Sequence, residues 1–156
     1  MASNFYRDQF NDLVEYLTEE FNIEVVQKPN ETDAWYPHLN MIRINNNLKY
    51  RERFFTLIHE TGHAILDNAV RHKNITCFNK NIPENIKSKK NYVHTLNEEI
   101  LAWNYGKMFL KKMSYKYEED RLEEYMTDCI MSYIRHGLKS IYGNEINADI
   151  IWTKYV

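Results

Sequence analysis

The sequence predicts an α+β fold: a mainly helical unit with a small antiparallel sheet packed on one central helix. Three observations predict it. Only four glycines and three prolines punctuate 156 residues, which favours long helices over a turn-rich architecture. Four segments carry apolar residues at helical spacing, whereas β-branched runs and apolar–polar alternation are confined to short stretches between residues 23 and 45. The length is that of one domain with a core of its own, so residues 1–156 are expected to form a single unit.

The first helix spans residues 4–21, where Phe5, Leu13, Val14, Leu17 and Phe21 recur at helical spacing between Asp8, Asp12, Glu15 and Glu19. It is amphipathic, and its apolar side covers the core. IEVVQKP (23–29) follows, a β-branched run stopped by Pro29, and LNMIRIN (39–45) sets Ile42 and Ile44 against Asn40 and Arg43. Both read as strands. Between them NETDAWYPH combines turn residues with aromatics and holds a further strand around 34–36.

A second helix starts between residues 47 and 51 and runs to about residue 70. Phe54, Ile58, Ile65 and Ala69 form one stripe, and Phe55, His59, His63, Leu66 and Val70 form its neighbour. Apolar residues on both stripes make this helix central, so its two histidines point inward. Residues 71–94 are polar, rich in Asn and Lys and interrupted by Pro83, the composition of a long loop. The run VHTLNEEILAWNYGKMFLKKM (93–113) opens a third helix, with Thr95 and Glu98 spaced as a capping box. The fourth helix covers 117–136, with Leu122, Tyr125, Met126, Cys129, Ile130 and Tyr133 on its inner face and Gly137 as its stop. The tail from residue 138 onward shows no period.

Composition excludes some functions. Twenty basic against twenty-two acidic side chains leave a formal charge of −2, so no global field draws the protein to nucleic acid or to an anionic membrane. Arg7, Asp8, Asp12 and Glu15 stand where a signal peptide needs an apolar core, and no run approaches the roughly 18 apolar residues of a membrane span. Cys77 and Cys129 have no CxxC neighbour and read as reduced thiols. A cytoplasmic location is expected.

Chemistry concentrates in RFFTLIHETGHAILDNA (53–69), which contains HExxH as His59, Glu60 and His63. Histidines at i and i+4 lie one turn apart on the same helical face, and their neutral imidazoles can converge on one Zn²⁺. Glu60 is rotated by one residue step, which suits it to the proton of a zinc-activated water and not to the metal. Peptide-bond hydrolysis is the reaction this arrangement serves. A catalytic zinc also needs a third protein ligand. A third histidine at the HExxHxxGxxH spacing is excluded, because Leu66 and Ala69 occupy those positions, and His72 lies on the wrong side of the helix end. A glutamate from the third helix remains, Glu98 or Glu99. Ala102 and Gly106 lie at i+3 and i+7 from Glu99, and small residues on that stripe let two helix backbones approach closely.

IRINNNLKYRERFFTLIHETGHAILD (42–67) resembles the core of the ImmA/IrrE family of zinc-dependent endopeptidases, whose members show an I-x-(I/V)-N strand end followed by R-x-F-T-(L/I)-x-H-E-x-G-H. The family's downstream E-x-x-A-x-x-(F/Y)-(A/G) pattern is matched by Glu99, Ala102, Tyr105 and Gly106. The resemblance covers roughly residues 42–110. It departs from the family where AWNYGKMFLKKM replaces the usual A-N-x-F-A-x-x-L-(L/M)-x-P ending.

The resemblance implies a zincin-like, gluzincin-type domain with His59, His63 and Glu99 as zinc ligands and Glu60 as the catalytic base. Glu98 is then a helix-capping residue. His94 and Tyr92, just before the third helix, are candidates to stabilise the oxyanion of a tetrahedral intermediate. Tyr105 is assigned to the core, and KSKKN (87–91) to a solvated loop face. The resemblance further implies a cytoplasmic regulatory peptidase of a prophage or mobile element that cuts a separate DNA-binding repressor. Two rivals are a non-cleaving binding module of the same fold, which has no need of Glu60, and a zinc protease toxin or anti-defence protein acting on host proteins.

Overall fold

The computed structural model describes residues 3–71 and 89–143. The order of elements is α1 (Ser3–Phe21), β1 (Glu24–Lys28), β2 (Ala34–Tyr36), β3 (Met41–Asn45), α2 (Tyr50–Arg71), α3 (Lys89–Lys112) and α4 (Glu119–Tyr142). The fold is therefore α+β and mostly helical.

Helix α1 buries Tyr6, Phe10, Leu13 and Leu17, a stripe at spacings of four and three. That stripe is centred one residue away from the one expected: Phe5 and Val14 flank it, and Phe21 at the helix end is 51 % exposed. Asn22 follows in the left-handed region (φ 52°), which asparagine tolerates, and turns the chain into β1. The amide of Asn40, itself left-handed at φ 50°, donates to the carbonyls of Phe21 and Asn22. Two asparagines thus tie the end of α1 to the turn between β2 and β3.

The sheet has the order β1-β3-β2, with β3 parallel to β1 and antiparallel to β2. It is mixed where an antiparallel sheet was expected. The reason is topological: the chain reverses once before β2 and once after it, and the second reversal lays β3 between the other two strands, in the direction of β1. Alternation is the same for either pairing, and only the inward side of β3 follows from it. Ile42 and Ile44 are fully buried, and β3 packs on α2.

Helix α2 is the centre of the molecule. The Glu52 carboxylate accepts the Lys49 N–H at 2.8 Å, satisfying one donor that the helix start leaves open, and Phe54, Phe55, Leu57 and Ile58 are buried on all sides of it. The ring of Tyr6 contacts those of Phe54 and Phe55, and its hydroxyl accepts the Glu118 N–H at 3.2 Å. Helix α3 crosses α2 where both lack side chains. A Cβ on Gly62 would stand 1.9 Å from the Ala102 carbonyl oxygen, and one on Gly106 would stand 2.5 Å from that of Ile58. At this crossing the two backbones are in direct contact.

Two helix boundaries differ from expectation. Helix α3 begins at Lys89, so residues 89–94 are helical and Thr95 is interior; its hydroxyl donates to the Asn91 carbonyl at 3.1 Å. This i−4 bond replaces the expected capping box with Glu98. Helix α4 continues past Gly137 to Tyr142 and ends at Gly143 (φ 74°). Gly137 is instead a contact point, because a Cβ there would stand 1.7 Å from the ring of Tyr92. The expected loop over 72–88 and the tail from 144 onward lie outside the described residues, as does Cys77.

Because the Gly62 contact is with backbone, α3 must move to admit a methyl group. Gly62→Ala is expected to cost about 1–3 kcal/mol, the range for overpacking a tight site. Thermal denaturation measures it, at roughly 2–4 °C per kcal/mol for a chain of this size; an unchanged midpoint would show that the helices do not touch there.

Candidate metal centre

His59 and His63 stand one turn apart on α2, with their Nε2 atoms 3.2 Å from each other. Glu99 reaches them from α3, placing Oε2 3.0 Å from His59 Nε2 and Oε1 3.5 Å from His63 Nε2. The three donor atoms all lie within 4.8 Å of one another, the one such group among the described residues. This convergence follows from the glycine crossing. Ala102 and Gly106 share the Glu99 side of α3, and Gly62 precedes His63, so the close backbone contact brings a glutamate within reach of both rings.

The donor set fits a divalent cation. Two imidazole nitrogens and one carboxylate oxygen face a common point, the ligand type of sites that bind zinc and its neighbours in the first transition row. Glu99 Oε2 is buried, yet for all its closeness to His59 it has no aligned hydrogen-bond partner, and a buried carboxylate oxygen requires a positive or donating neighbour. Burial raises the Glu99 carboxyl, but the close imidazoles of His59 and His63 outweigh this and bring it down to about 2. For His63, burial opposes the charged ring and the Glu99 and Glu60 carboxylates prevail, so its pKa is raised.

The surroundings fix the rings. His59 stacks on Trp103 at 4.4 Å between centroids, inclined by 29°. Its Nδ1 is buried and unpartnered. Asp33, at the entry to β2, is near enough to His59 to feel its charge, and takes the Asn45 N–H on Oδ1. Glu60 is buried, and burial pushes its carboxyl above the ordinary range against the opposing pull of His59 and His63.

The other residues singled out from the sequence make contacts of their own. The side chain of Glu98 is 42 % exposed and lies 3.7 Å from His94 Nε2 one turn back, along its own helix. Tyr92 donates its hydroxyl to the Tyr133 carbonyl at 2.9 Å and lays its ring over Gly137, so its contacts bind α3 to α4. Tyr105 is half-buried at the wall of a cavity of about 640 Å³, on the side of α2 that carries Thr61, Ala64 and Ile65, away from the histidines.

One wall of the centre was not anticipated. Helix α4 presents Tyr125, Cys129 and Tyr133, each one turn from the next. The Tyr125 hydroxyl is bonded to that of Thr56 at 2.8 Å, and burial pushes it up to about 12. Cys129 is raised to about 11, first by burial and then by the charges of Asp128, Glu99, Asp33 and Glu60. Burial also raises the Tyr133 phenol, as does the charge of Glu99. The spacing placed these residues on the inner face, but nothing local to α4 marks them as neighbours of a metal site.

A family model described as Peptidase_M78, IrrE N-terminal-like domain, matches residues 18–129. No curated protein matches the chain, and no solved structure does.

Adjacent helical residues point about 100° apart, so only one of Glu98 and Glu99 can face the histidines. Glu99→Ala is expected to abolish stoichiometric metal binding, whereas Glu98→Ala keeps the metal and loses at most about 0.5 kcal/mol, the scale of an exposed i,i+4 pair. Metal content and thermal midpoint of the two variants decide it; metal loss in Glu98→Ala would place α3 one residue out of register.

Proposed function

Because the chain belongs to the Peptidase_M78 family of IrrE N-terminal-like domains, metallopeptidases of the ImmA/IrrE type, we propose that it is a zinc-dependent regulatory endopeptidase acting in the cytoplasm on a separate protein, a DNA-binding repressor of a prophage or mobile element. The observation that carries this reading is the convergence of His59, His63 and Glu99 beside the buried carboxyl of Glu60. Its target is assigned from the family type and from the −2 charge, which leaves DNA contact to the partner.

His59, His63 and Glu99 would hold the metal, and zinc there supplies Lewis-acid polarisation of the scissile carbonyl together with an acidified water. Glu60 does the proton work. Its carboxylate takes the proton of the attacking water and delivers it to the departing amine, and its raised proton affinity brings it closer to the pKa at which such transfers are efficient near neutral pH. Trp103 holds the His59 ring in one plane, and the two imidazoles keep Glu99 ionised in a buried setting, so the ligand set is pre-organised. Glu60 is what a module that only captured its partner would not require.

Glu60→Gln keeps the side-chain shape and removes the base. Co-expressed with a candidate repressor, the variant should retain zinc and repressor binding, while cleavage falls by a factor of about 10²–10⁴. Gel analysis of the repressor and metal analysis of the peptidase provide both readouts. A Glu60→Gln protein that still relieves repression, with neither protein cut, would replace the peptidase by a binding module. Stripping the metal from the parent protein should halt cleavage, and added zinc should restore it.

A further inference from the structure

We propose that the cavity between the second halves of α2 and α3 is a ligand site separate from the metal centre, and that it takes an acyl chain ending in one carboxylate. The proposal goes beyond the peptidase reading and does not depend on it. Thr61, Ala64 and Asn68 line the cavity from one stripe of α2, and none of His59, Glu60, His63 and Glu99 is in its wall. A molecule held there is not a ligand of the metal.

The wall sets the chemistry of the ligand's body. Leu17, Ile23, Ala64 and Phe109 line the cavity and are buried, whereas Phe21 and Met108 line it and stay 51 % and 64 % exposed. The Tyr16 ring lies against those of Phe21 and Phe109, which ties Phe21 to the wall although it faces water. Apolar surface left open around a concave space of about 640 Å³ is the setting of a small-molecule site, for which about 300–1,000 Å³ is usual. Met108 and Met113, unbranched and polarisable, adapt to a flexible chain.

The charges of the wall set the ligand's head. They are Asp67, Arg71 and Lys112. Arg71 pairs with Asp67 at 2.7 Å, and the two cancel. Lys112, exposed at the end of α3, has no ion-pair partner among the described residues. A cation in the last turn of a helix meets the helix dipole wherever it stands, but this one also borders an apolar cavity, whose wall thereby carries one net positive charge. A single carboxylate matches that charge while its chain replaces water against the apolar surface.

The test is calorimetric titration of the full chain, with and without added Zn²⁺, using decanoate, octanoate and decanol, repeated on Lys112→Glu and Ala64→Leu. One decanoate should bind per chain with the same affinity in either metal state, and octanoate, two methylenes shorter, about 15-fold more weakly. Lys112→Glu should weaken decanoate about 3–10-fold and leave decanol unchanged. Ala64→Leu, which extends a side chain into the cavity, should weaken both. Lys112→Glu changes an exposed residue, so the charge test stands even where Ala64→Leu does not fold. Parent-like decanoate affinity in Lys112→Glu overturns the proposal. So does decanoate binding that requires zinc, since the carboxylate would then sit on the metal, and so does a parent chain that binds no decanoate at millimolar concentration. Each of these failures leaves the assignment of His59, His63 and Glu99 standing.

Discussion

The contact of α2 with α3 through Gly62 and Gly106 is the constraint on which the site depends. With carbonyl oxygens of Ala102 and Ile58 standing where side chains would otherwise be, the two helices have no adjustable layer between them. Their separation is fixed by backbone. Trp103 can then stack on His59, and Glu99 can span the gap to both histidines.

That geometry places four ionisable groups, His59, Glu60, His63 and Glu99, in or at the edge of an apolar core. Taking carboxylates out of water is costly unless opposite charge or donors replace the lost hydration. The two glutamates meet this differently. Glu99 stays ionised because both imidazoles face it, whereas Glu60 is driven toward its neutral form by burial. Two carboxyls with divergent proton affinities are suited to the two tasks of the proposed reaction, holding a cation and moving a proton. Helix α4 contributes hydroxyls and a thiol to the same space.

Features set by local geometry were legible in the sequence. His59 and His63 share a face because any helix puts i and i+4 together, and Glu99 was separable from Glu98 by the small residues Ala102 and Gly106 on its stripe. Features set by distant partners were not. Gly137 resembles a helix stop, since the missing Cβ that permits a left-handed cap also permits a ring to lie against the backbone, and only the position of Tyr92 distinguishes the two. Thr95 and Glu98 have capping-box spacing in any context; the helix simply begins earlier. The direction of β3 relative to β1 leaves no trace in alternation, which records sides and not partners. Tyr133 shows helical periodicity like any inner residue, and its proximity to Glu99 arises from the packing of three helices.

The bond between Tyr6 and the Glu118 main chain joins residues 112 positions apart, and this bears on how the molecule emerges from a ribosome. At roughly 5–20 residues per second, α1 and α2 are exposed for several seconds before α3 arrives, and the N-terminal helix finds its last polar partner only when α4 is about to be made. During that interval the stripe of Ile58 and the bare backbone at Gly62 have nothing to cover them. The newborn chain has both histidines and Glu60 but lacks Glu99, so the order of synthesis itself delays assembly of the cluster until nearly two thirds of these 156 residues have left the tunnel.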